Sequence, residues 1–274
     1  MGGASIRADM GTRNVVLILP VVGLLTGLAA AGQGAGAPAP KKIQTLLVTG
    51  QNRHDWRTVS PELRRMLEET NRFEVRVVEE FRGVTAGMLA GYDLVVLNYD
   101  NKRMDELRWG PGGEGALVEF VKRGKGLVVY HFSLAAFEGW KEYEELCGGN
   151  WRPGAGHHSP RHDFTMTVRD REHPITKGLK ASIPIRNDEL YANLQWQPRE
   201  KYRVLATAWD DHARYGGKAK QPTPGAGMDQ PMLWVHEPGG RVFVTALGHD
   251  VEAVRQAGFI ATFVRGAEWA ATGK

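Results

Sequence analysis

Histidines cluster where apolar runs give way to polar loops. His54 follows Ile43 to Val48, His131 ends Leu127 to Tyr130, and His249-Asp250 follows Val242 to Leu247 through Gly248. His157-His158 close a glycine-rich approach, Gly148 to Gly156, and Asp188-Glu189 stand before Leu190-Tyr191. Imidazole exchanges protons near neutral pH. Beside carboxylates it also binds zinc, manganese and other first-row divalent ions. No HExxH, paired CxxC or EF-hand loop is present, so a metal would need ligands assembled from separate loops. Both readings, acid–base group and metal ligand, stay open.

His131 is the most telling of these residues. In open α/β sheets ligands gather beyond the carboxyl ends of strands, and sharp strand-to-helix turns display nucleophiles such as Ser or Cys. Here the turn displays a histidine, which suits a base or a ligand and not acyl transfer. The candidate catalytic residues are His131, Glu189 and His54, and the candidate metal ligands are His54, His131 and His249. The most informative point to search for a bound ion lies between His54, His131, Glu189 and His249. Trp56, Asn98, Trp151, His157, His158, Tyr191 and Asp250 are candidate substrate-binding residues, with aromatic faces for sugar rings and polar groups for hydroxyls. His173, His212 and His236 read as structural or exposed. His162 could join the loop site but has no supporting neighbour.

The elements that must position these groups alternate between strand and helix. Ile43 to Val48, Phe73 to Val78, Tyr92 to Leu97 and Leu127 to Tyr130 read as strands. Thr58 to Thr70 and Gly115 to Arg123 carry helical periodicity, with Val59, Leu63, Met66 and Leu67 on one face of the first. A helix is expected from about Leu134. Such alternation predicts a mainly parallel sheet buried on both faces. The second half is richer in strands: Phe164 to Val168, Arg203 to Ala208, and a hairpin of Met232 to His236 with Arg241 to Ala246 around Pro238-Gly239-Gly240. A last helix is expected over Glu252 to Ala271.

Composition excludes several classes. The chain has 274 residues and a formal charge of +4, with 35 basic and 31 acidic residues. No clustered basic face with interleaved aromatics marks a nucleic-acid binder. One cysteine, Cys147, leaves no internal disulfide and reads as a buried thiol near a helix end. Arg7 and Arg13 precede an apolar run, Val15 to Ala31, and a Gly/Ala/Pro-rich tract. That layout reads as a signal peptide over 1–31, a linker over 32–41 and one domain over 42–274, exported to the periplasm or secreted. The alternative is an N-terminal membrane anchor, and translation could begin at Met1 or Met10. Apart from that segment no membrane association is expected.

From about Lys42 onward the chain resembles the ThuA-like (trehalose utilisation) family. The motifs are Thr49-Gly50 with His54-Asp55-Trp56, Gly124-x-Gly126-Leu127-Val128-x-x-His131, Phe137-x-x-Trp140, and Gly148-Gly149 leading to His157-His158. They continue through His173-Pro174-Ile175-Thr176-Lys177-Gly178-Leu179, Asp188-Glu189-Leu190-Tyr191, Gly240-Arg241-Val242-Phe243, Leu247-Gly248-His249-Asp250 and Arg265-Gly266-x-Glu268-Trp269-Ala270. Arg53 departs from the pattern, which expects a small or polar residue there. The resemblance implies a three-layer αβα, flavodoxin-like domain of the class I glutamine amidotransferase type, with an added antiparallel hairpin. At its elbow His131 stands where amidotransferases carry a cysteine. It also implies action on a disaccharide or 3-keto-glycoside, by cleavage or isomerisation; the histidine–carboxylate cluster would serve it either as acid and base or by holding a divalent metal (Zn or Mn). The alternative is a non-catalytic carbohydrate-binding protein; glutamine hydrolysis is not expected. The expected partners are a small-molecule carbohydrate and a second copy in a homodimer.

Overall fold

Apolar strands with β-branched residues on both faces need cover on both sides, and the chain supplies it with helices between them. The computed structural model describes residues 41–101, 103–215 and 224–274. The expected signal peptide and nearly all of the expected linker lie outside the described residues. Among the described residues no helix is long and apolar enough to cross a membrane.

The first half contributes β1 (Ile43–Val48), α1 (Trp56–Glu68), β2 (Phe73–Val78), α2 (Ala86–Leu89), β3 (Leu94–Leu97), α3 (Gly110–Lys122), β4 (Gly126–Tyr130) and α4 (Lys141–Cys147). The second adds β5 (Gly149–Asn150), β6 (His157–His158), β7 (His162–Val168), β8 (Ser182–Asp188), β9 (Tyr191–Ala192), β10 (Gln195–Trp196), β11 (Tyr202–Asp210), β12 (Met228–His236), β13 (Arg241–Thr245), α5 (Val251–Val254) and α6 (Ala257–Thr272). Nine strands form one sheet in the order β2-β1-β3-β4-β13-β12-β11-β7-β8. From β2 to β13 neighbours run parallel, and from β13 to β8 antiparallel.

Alternate residues of β4 enter different cores. Val128 and Tyr130 pack with Val59 and Leu63 of α1 and with Phe259 and Phe263 of α6. Leu127 and Val129 pack with Leu117 and Phe120 of α3 and with Tyr143 and Leu146 of α4. The α/β class with three layers is therefore as expected. The antiparallel part is wider than one hairpin, because β11, β7 and β8 extend it.

Three local expectations change. The chain after His131 forms a 3-10 turn, His131–Ala135, and α4 begins only at Lys141. The last helix is broken at Gln256, whose side chain bonds both the N–H and the carbonyl of Arg186 and holds the residue in an extended conformation. β8 carries Pro184 and an incomplete alternation, so its sequence hides it; as an edge strand it tolerates the missing donor.

Candidate active site

Register brings the loops together. Val48 pairs with Leu97, Leu97 with Val129 and Val129 with Val244, so four parallel strands end at one level. The chain order reverses direction between β1 and β3, which makes this edge the expected ligand crevice. Two glycines make the sharp exits possible. At Gly50 (φ +96°) a Cβ would lie 2.2 Å from the Glu79 carbonyl oxygen, and at Gly248 (φ +107°) 2.7 Å from the Tyr130 ring. His131 itself sits at φ +45°, a strained left-handed conformation for a side chain of its size.

Glu189 is the centre of the polar cluster. Its Oε2 lies 3.6 Å from His54 Nε2, 3.6 Å from His131 Nε2 and 3.2 Å from His249 Nδ1. His249 Nδ1 is buried and makes no hydrogen bond despite that approach. The four donor atoms all lie within 4.8 Å of one another. A tetrahedron with bonds of ~2.1 Å has edges of about 3.4 Å; the distances from Glu189 to the three imidazoles match such edges, and the group could hold a divalent ion such as zinc or manganese. Burial alone would raise the Glu189 carboxyl, but His131, His249 and His54 hold it far below the usual range. Burial pushes His131 down to about 4, against the pull of Glu189. Its ring is thus neutral, the form a metal requires. The Glu189 carboxylate raises His249.

Each ligand candidate is held from behind. His131 Nδ1 donates to the Ala246 carbonyl at 2.8 Å, which turns Nε2 toward Glu189. The Tyr191 hydroxyl meets that Nε2 at 3.0 Å. Asn52 Oδ1 accepts from the His54 N–H at 3.0 Å; Asn52 donates to Asn98, Asn98 donates to Ser60, and Ser60 bonds Thr49. Asp188, 1% exposed, accepts from the N–H groups of Glu189 (2.9 Å), Gly248 (2.8 Å) and His249 (3.0 Å). It therefore ties the Glu189 loop to the His249 loop. Burial pushes its carboxyl up to about 6, against those three donors.

Above the cluster opens a cleft of about 440 Å³ lined by Arg53, Phe132, Trp151, His158 and Asp250, among others. His158 Nδ1 lies 2.8 Å from the Ser159 carbonyl and 3.2 Å from Glu189 Oε1, and the side chain is 43% exposed. Arg53 stacks over Phe132 and approaches the buried Asp100 carboxylate at 3.7 Å.

A family model described as ThuA, trehalose utilisation, matches residues 44–270. The chain belongs to the ThuA family. A ThuA-like protein from Parabacteroides merdae is 31% identical over 85% of this chain and 91% of its own, with a TM-score of 0.73. One from Bacteroides uniformis, at 17% identity, covers 85% of this chain and 93% of its own with a TM-score of 0.67, which shows the shared fold. No curated protein matches the sequence at a significant level.

In this ThuA-family chain His54, His131, Glu189 and His249 converge as the sequence reading placed them. Trp151 and His158 line the cleft. Asp250 lines it too, and the other candidate binding residues stand elsewhere. Trp56 lies under Arg57 in a separate hollow beside α1, and Asn98 is buried in the relay behind His54. Tyr191 is buried under Trp151, and His157 faces Asp210. Asp250 reaches the rim, but its carboxylate caps α5 at the Ala253 N–H and pairs with Arg161. Sequence reasoning noted Asp188 beside Glu189 without giving it a role, and missed Phe132 and the contact of His158 with Glu189. Only that adjacency could have signalled a role for Asp188. Cys147, the last residue of α4, is buried in the core away from the cleft lining, its thiol pushed up to about 12 by burial.

Proposed function

We propose that this ThuA-family chain is a carbohydrate-active enzyme that holds a divalent ion, zinc or manganese, between His54, His131, Glu189 and His249. Its substrate is a disaccharide or 3-keto-glycoside, in keeping with a family described by trehalose utilisation. The observation that carries the reading is the convergence of three imidazole nitrogens on one carboxylate oxygen, with His249 Nδ1 left without a hydrogen bond. Buried polar atoms are rarely left unpaired without a ligand to satisfy them.

A keto group acidifies the neighbouring C–H, and removal of that proton starts an elimination that expels the aglycone. A divalent ion at this site supplies Lewis-acid stabilisation to the oxygen that gains charge. The chain's residues bind and move the proton. Trp151 and Phe132 offer ring faces to the sugar. His158, with Nδ1 held by Ser159 and Glu189, keeps Nε2 free of protein partners in the cleft and is placed to take the proton. His131, 1% exposed with Nδ1 on the Ala246 carbonyl and Nε2 turned to Glu189 and Tyr191, is shut away from the cleft and is better placed as a ligand than as the base.

The test is metal analysis of the purified protein with calorimetric titration of zinc and manganese into the stripped protein. A turnover assay on 3-keto-trehalose, with and without chelator, accompanies it. Loss of turnover on chelation and in His131→Ala supports the reading; turnover that survives both overturns it. Sugar binding without product marks a carbohydrate-binding protein instead. Export of the domain is part of the same proposal, supported by Arg7, Arg13 and the apolar run to Ala31. N-terminal sequencing of the exported fraction should begin after Ala31.

A further inference from the structure

A second pair of titratable groups lies on the other side of the strand that carries His158. Successive side chains of a strand point to opposite faces, and β6 is only His157 and His158, held by pairing with Tyr191 and Ala192 of β9. His158 therefore turns to Glu189, while His157 turns to Asp210 at the end of β11. Asp210 is 0% exposed. Its Oδ1 accepts from the Tyr215 hydroxyl at 2.7 Å, whereas Oδ2 faces His157 Nε2 at 3.6 Å and neither of those two atoms has a hydrogen bond. A buried carboxylate oxygen and a buried imidazole nitrogen, each unsatisfied and aimed at the other, are stabilised by closing that gap. Gly154 and Gly156, both at positive φ, lead into the segment.

We propose that Asp210 is a positioning residue for the reaction, acting through His157 to set the height of His158 over the cleft. The inference rests on the function proposed above for its kinetic readout. Its geometry does not need the metal, because no ligand candidate touches His157 or Asp210.

The experiment uses the full chain with Asp210→Asn, His157→Gln and His158→Ala, singly and combined. Long-range proton–nitrogen spectra of the histidine rings are recorded with and without zinc. In Asp210→Asn and in His157→Gln the His158 signals should shift and broaden, while those of His54 and His249 hold still and zinc affinity is unchanged. On 3-keto-trehalose each single variant should lower kcat by about ten- to a hundred-fold with little change in KM, as a small misplacement of a reacting group does. In the His158→Ala background neither should lower kcat further. Unmoved His158 signals overturn the proposal, and so does a full additional loss in that background. A fall in zinc affinity equal to the fall in kcat also overturns it, since Asp210 would then be supporting the whole site. A wild-type protein that neither binds zinc nor converts the sugar defeats the proposed function instead, and the spectra still decide the anchor.

Discussion

Replacing Asp188 by Asn tests whether the site is held from behind as described. The carboxylate offers one oxygen to Gly248 N–H and the other to the N–H groups of Glu189 and His249. An Asn keeps one acceptor, so its amide must face at least one backbone donor. If the oxygen stays with Glu189 and His249, the Gly248 N–H is orphaned. Losing one bond to a charged group and leaving a buried donor unpaired costs about 3 kcal/mol. That is tolerable within a stability of about 5–15 kcal/mol, so the variant should fold. The larger effect is on the ion, because the same oxygens fix the backbones of Glu189 and His249. Losing such support typically weakens metal binding about 10–100-fold. Urea unfolding of the metal-free protein gives the first quantity, and calorimetric titration of zinc the second. Glu172→Gln, at an exposed carboxylate 3.9 Å from Lys177, is the control and should change neither. If Asp188→Asn behaves like that control in both assays, the loops hold themselves and the reasoning fails.

Other outcomes follow from single contacts. The Tyr191 hydroxyl occupies His131 Nε2, so Tyr191→Phe should raise zinc affinity about five-fold, the equivalent of one neutral hydrogen bond of ~1 kcal/mol; a ten-fold fall on titration contradicts that nitrogen as a ligand. Gly266 of α6 lies against Phe243, where an added Cβ would come within 2.1 Å of the ring. Gly266→Ala should lower the urea midpoint, because overpacking of about 1–3 kcal/mol outweighs the ~1 kcal/mol of helix propensity gained. Hydrogen bonds from Arg255 and Arg65 hold Glu62 down to about 2. A carboxyl lowered in the folded state stabilises above its unfolded pKa and loses that contribution as pH falls toward 2. Glu62→Gln should therefore lower the melting temperature at pH 7 and leave it unchanged near pH 2; an equal loss at both would refute the pairing.

The parallel half of the fold was legible because its signals are local. Leu127 to Tyr130 is apolar at every position, and only a strand covered on both faces uses such a run. The Val59, Leu63, Met66 and Leu67 spacing marks the buried face of α1 for a similar reason. β8 was hidden because Pro184 argues against a strand until its place at the sheet edge is known. Gln256 reads as an ordinary helical residue, and only its contact with Arg186, 70 positions earlier, takes it out of the helix. The convergence of His54, His131 and His249 followed from strand ends in a parallel sheet. Burial did not follow, so Asn98 and Tyr191 looked like binding residues when they are supports.

Burial also decides what a histidine at this elbow can do. A nucleophile displayed on a strained turn is useful only if substrate reaches it, and the strain is then tolerated for exposure. His131 keeps the strained backbone, at φ +45°, but its side chain is 1% exposed beneath His54 and beside Tyr191. Its two nitrogens face Ala246 and the Tyr191–Glu189 side, so neither points to the cleft. The same turn that would push a thiolate outward here fixes an imidazole inward against Glu189. The exposed imidazole is instead His158, which comes from a different element and shares the other oxygen of that carboxylate. Glu189 thus divides the site into a buried group that can hold an ion and an open group that can move a proton. On the proposed function the elbow would present a ligand and not a nucleophile, which makes His131→Ala a test of ion binding before it is a test of turnover.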